Sequence, residues 1–257
     1  MLKGKVVFIS GASSGIGAIA ASLLAERGAV PVLTGRNEER LKKQADSIRG
    51  ECAYYVMDVT DMEQVQQTVE QVVKRYGRID ILLNNAGYGQ FESIAKMPVE
   101  SYEAMMNTNY MGIVRCTKAV LPYMEQQGEG HIVNVASMAG KIGSAKSTSY
   151  TATKHAVLGF TNSLRMELKP LGIHVSSINP GPIDTEFFAI ADPSGSYVKN
   201  VSWFMMKPHY VARAIVRVME RRTQELDLPR AASVGIKLYG LFPRVADRMF
   251  GGLFNRK

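Results

Sequence analysis

Cysteine is scarce in this 257-residue sequence, with only Cys52 and Cys116. Both fall in segments that read as element interiors, and neither has metal-ligand spacing. A disulfide framework is therefore excluded, and reduced, packed thiols of a cytoplasmic protein are expected. No stretch reaches the roughly 20 apolar residues that a membrane-spanning helix needs. The first apolar run reads as a strand with no separate signal segment before it, so secretion is not expected. His131, His155, His174 and His209 are scattered and form no metal cluster. The net charge of +8 comes without a basic run of the type that grips nucleic acid, so nucleic acid is not expected as a partner. Repeats, low-complexity tracts and interdomain linkers are also absent. A chain of this length that is 46% hydrophobic can bury one substantial core.

What is present is an alternation of short apolar runs with helical stretches, which predicts a parallel sheet covered on both faces. The strand candidates are residues 5–10, 30–34, 53–57, 79–83, 131–136, 175–178 and 225–228. Helices are expected over 18–27, 37–49, 62–76, 99–126, from about 148, and over 210–222, with 185–207 irregular.

Tyr150 and Lys154 are four apart, so on a helix they project from one face. Ser137 follows the apolar run His131-Ile-Val-Asn-Val-Ala136 and is expected where a buried strand opens into a loop. The chemistry that can use this trio is proton transfer coupled to hydride transfer at a carbonyl carbon. A free tyrosine, with a pKa of about 10, is a poor base at neutral pH. A neighbouring ammonium favours phenolate. Ser137 would hold the substrate oxygen.

At the N-terminus the run Lys5–Ser10 leads into Gly11-Ala-Ser-Ser-Gly15-Ile-Gly17 and then into strong helix formers. A strand, a glycine-rich turn and a helix N-terminus make a phosphate cradle, because glycines admit the pyrophosphate and unpaired amides favour the anion. Gly11, Ser13, Ser14, Gly15, Ile16 and Gly17 are its candidate residues.

Gly11-x-x-x-Gly15-x-Gly17, Asn84-Asn85-Ala86-Gly87, Asn109, Ser137, Tyr150-x-x-x-Lys154 and Pro180-Gly181 stand together in order and approximate spacing. In this the sequence resembles the short-chain dehydrogenase/reductase family over roughly residues 1–228. Ser10 stands where the family more often has threonine. The resemblance implies a doubly wound Rossmann fold with seven parallel strands in the order 3-2-1-4-5-6-7, and a nicotinamide cofactor. It further implies that Asp58 and the Val59 amide face the adenine. In the family the position of Asn109 marks a distorted helical turn that joins a proton relay through Lys154. Asn85, Ala86 and Gly87 would lie beside the cofactor ribose, with Asn84 bracing the sheet. An Asp in the position of Asp58 also serves as a turn or cap residue. Pro180, Gly181, Ile183 and Thr185 form a rigid turn expected near the nicotinamide carboxamide.

Cofactor choice turns on the end of the second strand, where an acid about 20 residues beyond the glycine turn suits NAD and an arginine suits NADP. Gly35-Arg36 stands there with no acid before Glu38, which favours NADP(H). Two apolar clusters, Glu186–Ile190 and Trp203–Met206, flank a polar hinge like the two ends of a lid over an apolar pocket. Packing on the core or on a partner subunit is the alternative. Tyr88, Phe91 and Met138 are candidate pocket walls.

Two segments are expected: a dinucleotide-binding and catalytic domain, 1–229, and a basic amphipathic tail, 230–257. The tail would dock on a second subunit, on the chain itself or on an anionic membrane surface. A homodimer or homotetramer is expected. The resulting expectation is an NADP(H)-dependent oxidoreductase that reduces an apolar ketone or aldehyde, with Asn109, Ser137, Tyr150 and Lys154 as its catalytic set. The rival is a nucleotide-binding sensor or scaffold without turnover.

Overall fold

A computed structural model describes residues 2–231 and 235. The tail expectation therefore lies almost entirely outside the described residues. Seven strands form one parallel sheet: β1 (Val6–Ser10), β2 (Val30–Gly35), β3 (Ala53–Val56), β4 (Ile81–Asn84), β5 (Gly130–Val135), β6 (Ile173–Pro180) and β7 (Glu225–Leu228). Their order is β3-β2-β1-β4-β5-β6-β7, as the resemblance implies.

The helices are α1 (Gly15–Ala25), α2 (Glu38–Ser47), α3 (Met62–Tyr76), α4 (Val99–Met106), α5 (Gly112–Gln127), α6 (Thr148–Leu168), α7 (Phe187–Ala191), α8 (Ser196–Val201) and α9 (Pro208–Arg221). Alternation along the strands feeds a core on each face of the sheet. On β1, Val7 and Ile9 join α1 and α9 residues such as Leu24 and Ile215, while Val6 and Phe8 join α3 and α5 residues such as Val69 and Val120.

The helix expected over 99–126 is α4 and α5 joined by a π-helical turn, Asn107–Met111, which is the distorted turn that the resemblance places at Asn109. Two other expectations are corrected. The 185–207 segment is not irregular throughout. It holds α7, α8 and a 3₁₀ turn at Ser202–Phe204, elements too short to leave a periodic pattern. Cys52 lies in the link before β3 rather than inside an element, whereas Cys116 is buried in α5, where burial pushes its thiol up to about 12.

The strand order reverses direction between β1 and β4, which opens a crevice at the carboxyl ends of the strands. Among the described residues no helix is long and apolar enough to cross a membrane.

Candidate active site

Ser137 stands two residues beyond the end of β5, and its Oγ accepts from the Ala139 amide at 3.1 Å, capping a 3₁₀ turn over Met138–Gly140. The same hydroxyl donates to the Pro180 carbonyl at 3.2 Å. Tyr150 lies in the first turn of α6 and is hydrogen-bonded to the Ser137 side chain. Lys154, one turn later, is buried and places Nζ 5.7 Å from the Tyr150 ring centroid. This close packing of α6 on the Ser137 loop requires Gly140, because a Cβ there would lie 2.6 Å from the Lys154 carbonyl oxygen.

The titration of the pair differs from the expectation that the ammonium already favours phenolate. Burial pushes Tyr150 up to about 12, opposed only by its hydrogen bond to Ser137. Burial also pulls Lys154 down to about 8, and its Nζ donates to the Val135 carbonyl at 2.9 Å. Desolvation of both groups outweighs their mutual attraction here.

Asn109 is fully buried in the π-helical turn, but its side chain does not face the reacting groups. Its Oδ1 accepts from the Tyr88 amide at 2.9 Å, and its Nδ2 donates to the Tyr88 carbonyl at 2.8 Å and to Thr153 Oγ1 at 3.1 Å. The amide thus clamps the chain beyond β4 onto α6, and any relay at this position must use the backbone of the distorted turn. Gly87 sits beneath this clamp, where a Cβ would meet Asn109 Oδ1 at 3.0 Å and Lys154 Nζ at 3.9 Å.

The glycine turn has the form an anion cradle needs. Gly11 and Gly15 have φ of +68° and +59°, a region that glycine enters without strain. Nothing lies within 4 Å of a Cβ built on Gly15, whereas one on Gly11 would come 2.7 Å from Ala86 Cα. Ser14 precedes α1 without a side-chain cap, which leaves the first amides of that helix for a ligand. By contrast, Asn37 caps α2 and Asp61 caps α3. Asp58 Oδ1 instead accepts from the Thr60 amide and hydroxyl, which makes Asp58 a turn residue that also faces the cavity.

One cavity of about 860 Å³ gathers nearly every candidate residue. Gly11, Ser13, Ser14, Gly15 and Ile16 line it beside Arg36, Asp58 and Val59. Asn85, Ala86, Gly87, Ser137, Tyr150, Lys154, Pro180, Gly181, Ile183 and Thr185 line it further along. Gly17 and Asn109 do not. A Cβ on Gly17 would lie 2.4 Å from the Gly11 carbonyl oxygen, so this glycine serves helix-to-turn packing. Asn85 reaches the cavity but spends its side-chain NH₂ on the carbonyls of Ser10 and Gly11, bracing the cradle. Asn84, as expected, braces the sheet through Asn134 Oδ1 at 2.9 Å. Ile183 is held by a bridge to Met206, and Thr185 Oγ1 accepts from the Phe187 amide at 3.4 Å.

Tyr88, Phe91 and Met138 do line the cavity, and so do Phe187, Phe188, Ile190, Trp203 and Phe204 of the lid segment. The rings form a shell around Tyr150, with Phe91 at 5.9 Å and Phe187 at 5.6 Å between centroids. Phe91 in turn packs on Tyr197 at 5.0 Å. Tyr197 and Arg40 are lining residues that sequence reasoning missed. Arg40 follows Arg36 by four positions, in the first turn of α2, and no motif marks it; Tyr197 left no signal in a segment without periodicity.

The match to known proteins agrees with this geometry. Residues 5–193 fit the family model described as short chain dehydrogenase. The 3-oxoacyl-(acyl-carrier-protein) reductase of Thermotoga maritima is 40% identical over 187 residues, 72% of this chain and 76% of that protein. A serine dehydrogenase solved with NADP⁺ superposes with a TM-score of 0.81 at 30% identity, covering 87% of this chain and 94% of that one. A xylitol dehydrogenase solved with NAD⁺ gives 0.81 at 30% identity, over 88% and 98% of the two chains. A glycine cradle shaped for a pyrophosphate, a Ser-Tyr-Lys wall opposite it and these matches lead to one assignment: the chain is a short-chain dehydrogenase/reductase, a Rossmann-fold oxidoreductase acting on CH–OH groups.

Proposed function

We propose that the chain uses NADP(H) and reduces an apolar ketone or aldehyde to its alcohol. The observation that carries the reading is the composition of the cavity from end to end. Arg36 after β2, the trio Ser137, Tyr150 and Lys154, and the aromatic side chains around Tyr150 all line this one cavity. The cradle fits a dinucleotide, since Gly15 faces open space and the first amides of α1 are uncapped.

When bound, NADPH supplies the hydride to the carbonyl carbon. Gly11, Gly15 and the start of α1 would hold its pyrophosphate. Arg36 offers a guanidinium fork to the 2′-phosphate, and Gly35 leaves room beside Ser13, whose Oγ is 3.4 Å from where a Cβ would stand. Tyr150 carries its proton at neutral pH and gives it to the carbonyl oxygen as charge develops there. Ser137 turns its hydroxyl from the Pro180 carbonyl to the same oxygen. Lys154 would hold the ribose hydroxyls, and its cation supports the phenolate that remains. The Asn109 clamp on Tyr88 keeps that side of the cavity in register.

An apolar substrate is supported by the rings of Phe91, Phe187 and Phe188 around Tyr150. Nothing cationic among the lid's lining residues would offset a substrate carboxylate.

Fluorescence titration with NADPH and NADH, repeated on Arg36→Ala, tests the cofactor, and NADPH consumption over a panel of lipophilic ketones and aldehydes tests the substrate. Tight NADPH binding that weakens selectively in the variant supports the reading. Equal binding of both cofactors, or preference for NADH, overturns it.

A further inference from the structure

The cavity contains a second arginine with no role in the reading above. Arg40, in the first turn of α2, places Nη1 2.7 Å from Glu186 Oε2. Glu186 is the residue from which α7 begins, so the ion pair runs from the β2 lip of the cavity to the lid. Arg36, on the same lip, enters no ion pair among the described residues.

A phosphate monoester carries nearly two negative charges at neutral pH. A single guanidinium compensates about half of that. Among the described residues, the other cation lining this lip is Arg40, and it is neutralised by Glu186. That pair is open to solvent, with side chains 52% and 72% exposed, and ion pairs of this type hold weakly. Guanidinium and phosphate meet in a bidentate, charge-assisted geometry that is stronger.

We propose that Arg40 leaves Glu186 for the 2′-phosphate of NADPH, so that Arg40 is a second specificity determinant and Glu186 its competitor. This rests on the NADP(H) reading and adds to it a coupling to the lid. Glu186 precedes Phe187, whose ring lies 5.6 Å from that of Tyr150 and fills the space above Gly89, where a Cβ would meet it at 2.6 Å. Release of Glu186 therefore frees the start of the element that covers the catalytic tyrosine. With NADH no phosphate competes, and the pair persists.

The test is a fluorescence titration with NADPH and with NADH of the wild type, Glu186→Gln, Arg40→Gln and the double variant. All of these positions are exposed, so the fold is retained. Glu186→Gln is expected to tighten NADPH binding about fivefold and leave NADH within about twofold. Arg40→Gln is expected to weaken NADPH binding about tenfold, again without effect on NADH. The double variant should match Arg40→Gln alone, because Glu186 acts only through Arg40.

If Glu186→Gln tightens NADPH equally in the Arg40→Gln background, Glu186 acts by bulk repulsion and the exchange is wrong. A wild type that prefers NADPH through Arg36, with Glu186→Gln silent, overturns this inference while the cofactor reading stands. A wild type that prefers NADH removes both.

Discussion

The Ser137 hydroxyl donates to the Pro180 carbonyl across 3.2 Å, tying the loop after β5 to the end of β6. It accepts from the Ala139 amide as well, and it hydrogen-bonds Tyr150. A hydroxyl has one proton and two lone pairs, so these contacts saturate it. To hold a substrate oxygen it must exchange the Pro180 carbonyl for that oxygen, while the Ala139 amide keeps Oγ in place.

Ser137→Ala is accordingly expected to lower kcat for carbonyl reduction by about 10²–10³-fold, the usual cost of losing one donor to a developing oxyanion. NADPH affinity should stay within about twofold, because Ser137 is not among the groups that hold the dinucleotide. Steady-state kinetics beside a fluorescence titration separates the two effects.

Lys154 makes stability depend on pH in a direction opposite to that of an ordinary ion pair. Burial takes its folded pKa to about 8 from an ordinary 10.5. Between those values the unfolded chain binds the extra proton, so stability rises with pH through that window. Below about pH 8 the full penalty applies, on the order of 3 kcal/mol. The cofactor-free Lys154→Met variant is expected to melt higher than the wild type at pH 7, with the gap closing toward pH 10.5. Thermal melts at the two pH values check this.

Gly11→Ala joins two costs. A left-handed φ disfavours a Cβ by about 1–2 kcal/mol, and this Cβ would lie 2.7 Å from the Ala86 Cα, backbone that cannot swing aside. The melting temperature should fall by several degrees and NADPH binding should be lost, because the cradle and the β4 loop must part. Circular-dichroism melts and titration together test it.

Phe91 touches Tyr150, Phe187, Phe188 and Tyr197 through ring contacts. Phe91→Ala should raise KM for bulky apolar ketones about tenfold, the loss of a partly buried ring face. KM for a small aldehyde should move far less. Parallel kinetics on the two substrates gives the comparison.

The fold was legible because the central strands are short apolar runs at buried positions, as in β1 and β5, and because α3 is bounded by strong signals. Asp61 before α3 and Gly77 after it cap that helix at both ends. The start of α1 was harder to read. Gly15 and Gly17 have poor helix propensity, yet they lie inside the helix because the first turn must approach Gly11 and leave its amides open. Pro122 inside α5 leaves the helix continuous, and the true interruption is the π-turn at Asn107–Met111, whose residues keep helical φ and ψ at both ends.

Within the site, Ser137, Tyr150 and Lys154 were legible through the family's joint motifs, since the Tyr–Lys spacing alone is a weak signal. The direction of their titration was not, because desolvation depends on what packs above them. The ring of Tyr197 comes from a segment without periodicity, and Arg40 acquires its place only from Glu186, 146 positions away in the chain.

Turnover by Tyr150→Phe tests the central claim most directly. The variant keeps the ring that packs on Phe91 and Phe187 and loses only the hydroxyl. With NADPH and a ketone accepted by the wild type, kcat is expected to fall by at least about 10³-fold while NADPH affinity is retained. Turnover within tenfold of the wild type would contradict Tyr150 as the proton donor and the carbonyl-reducing mechanism with it.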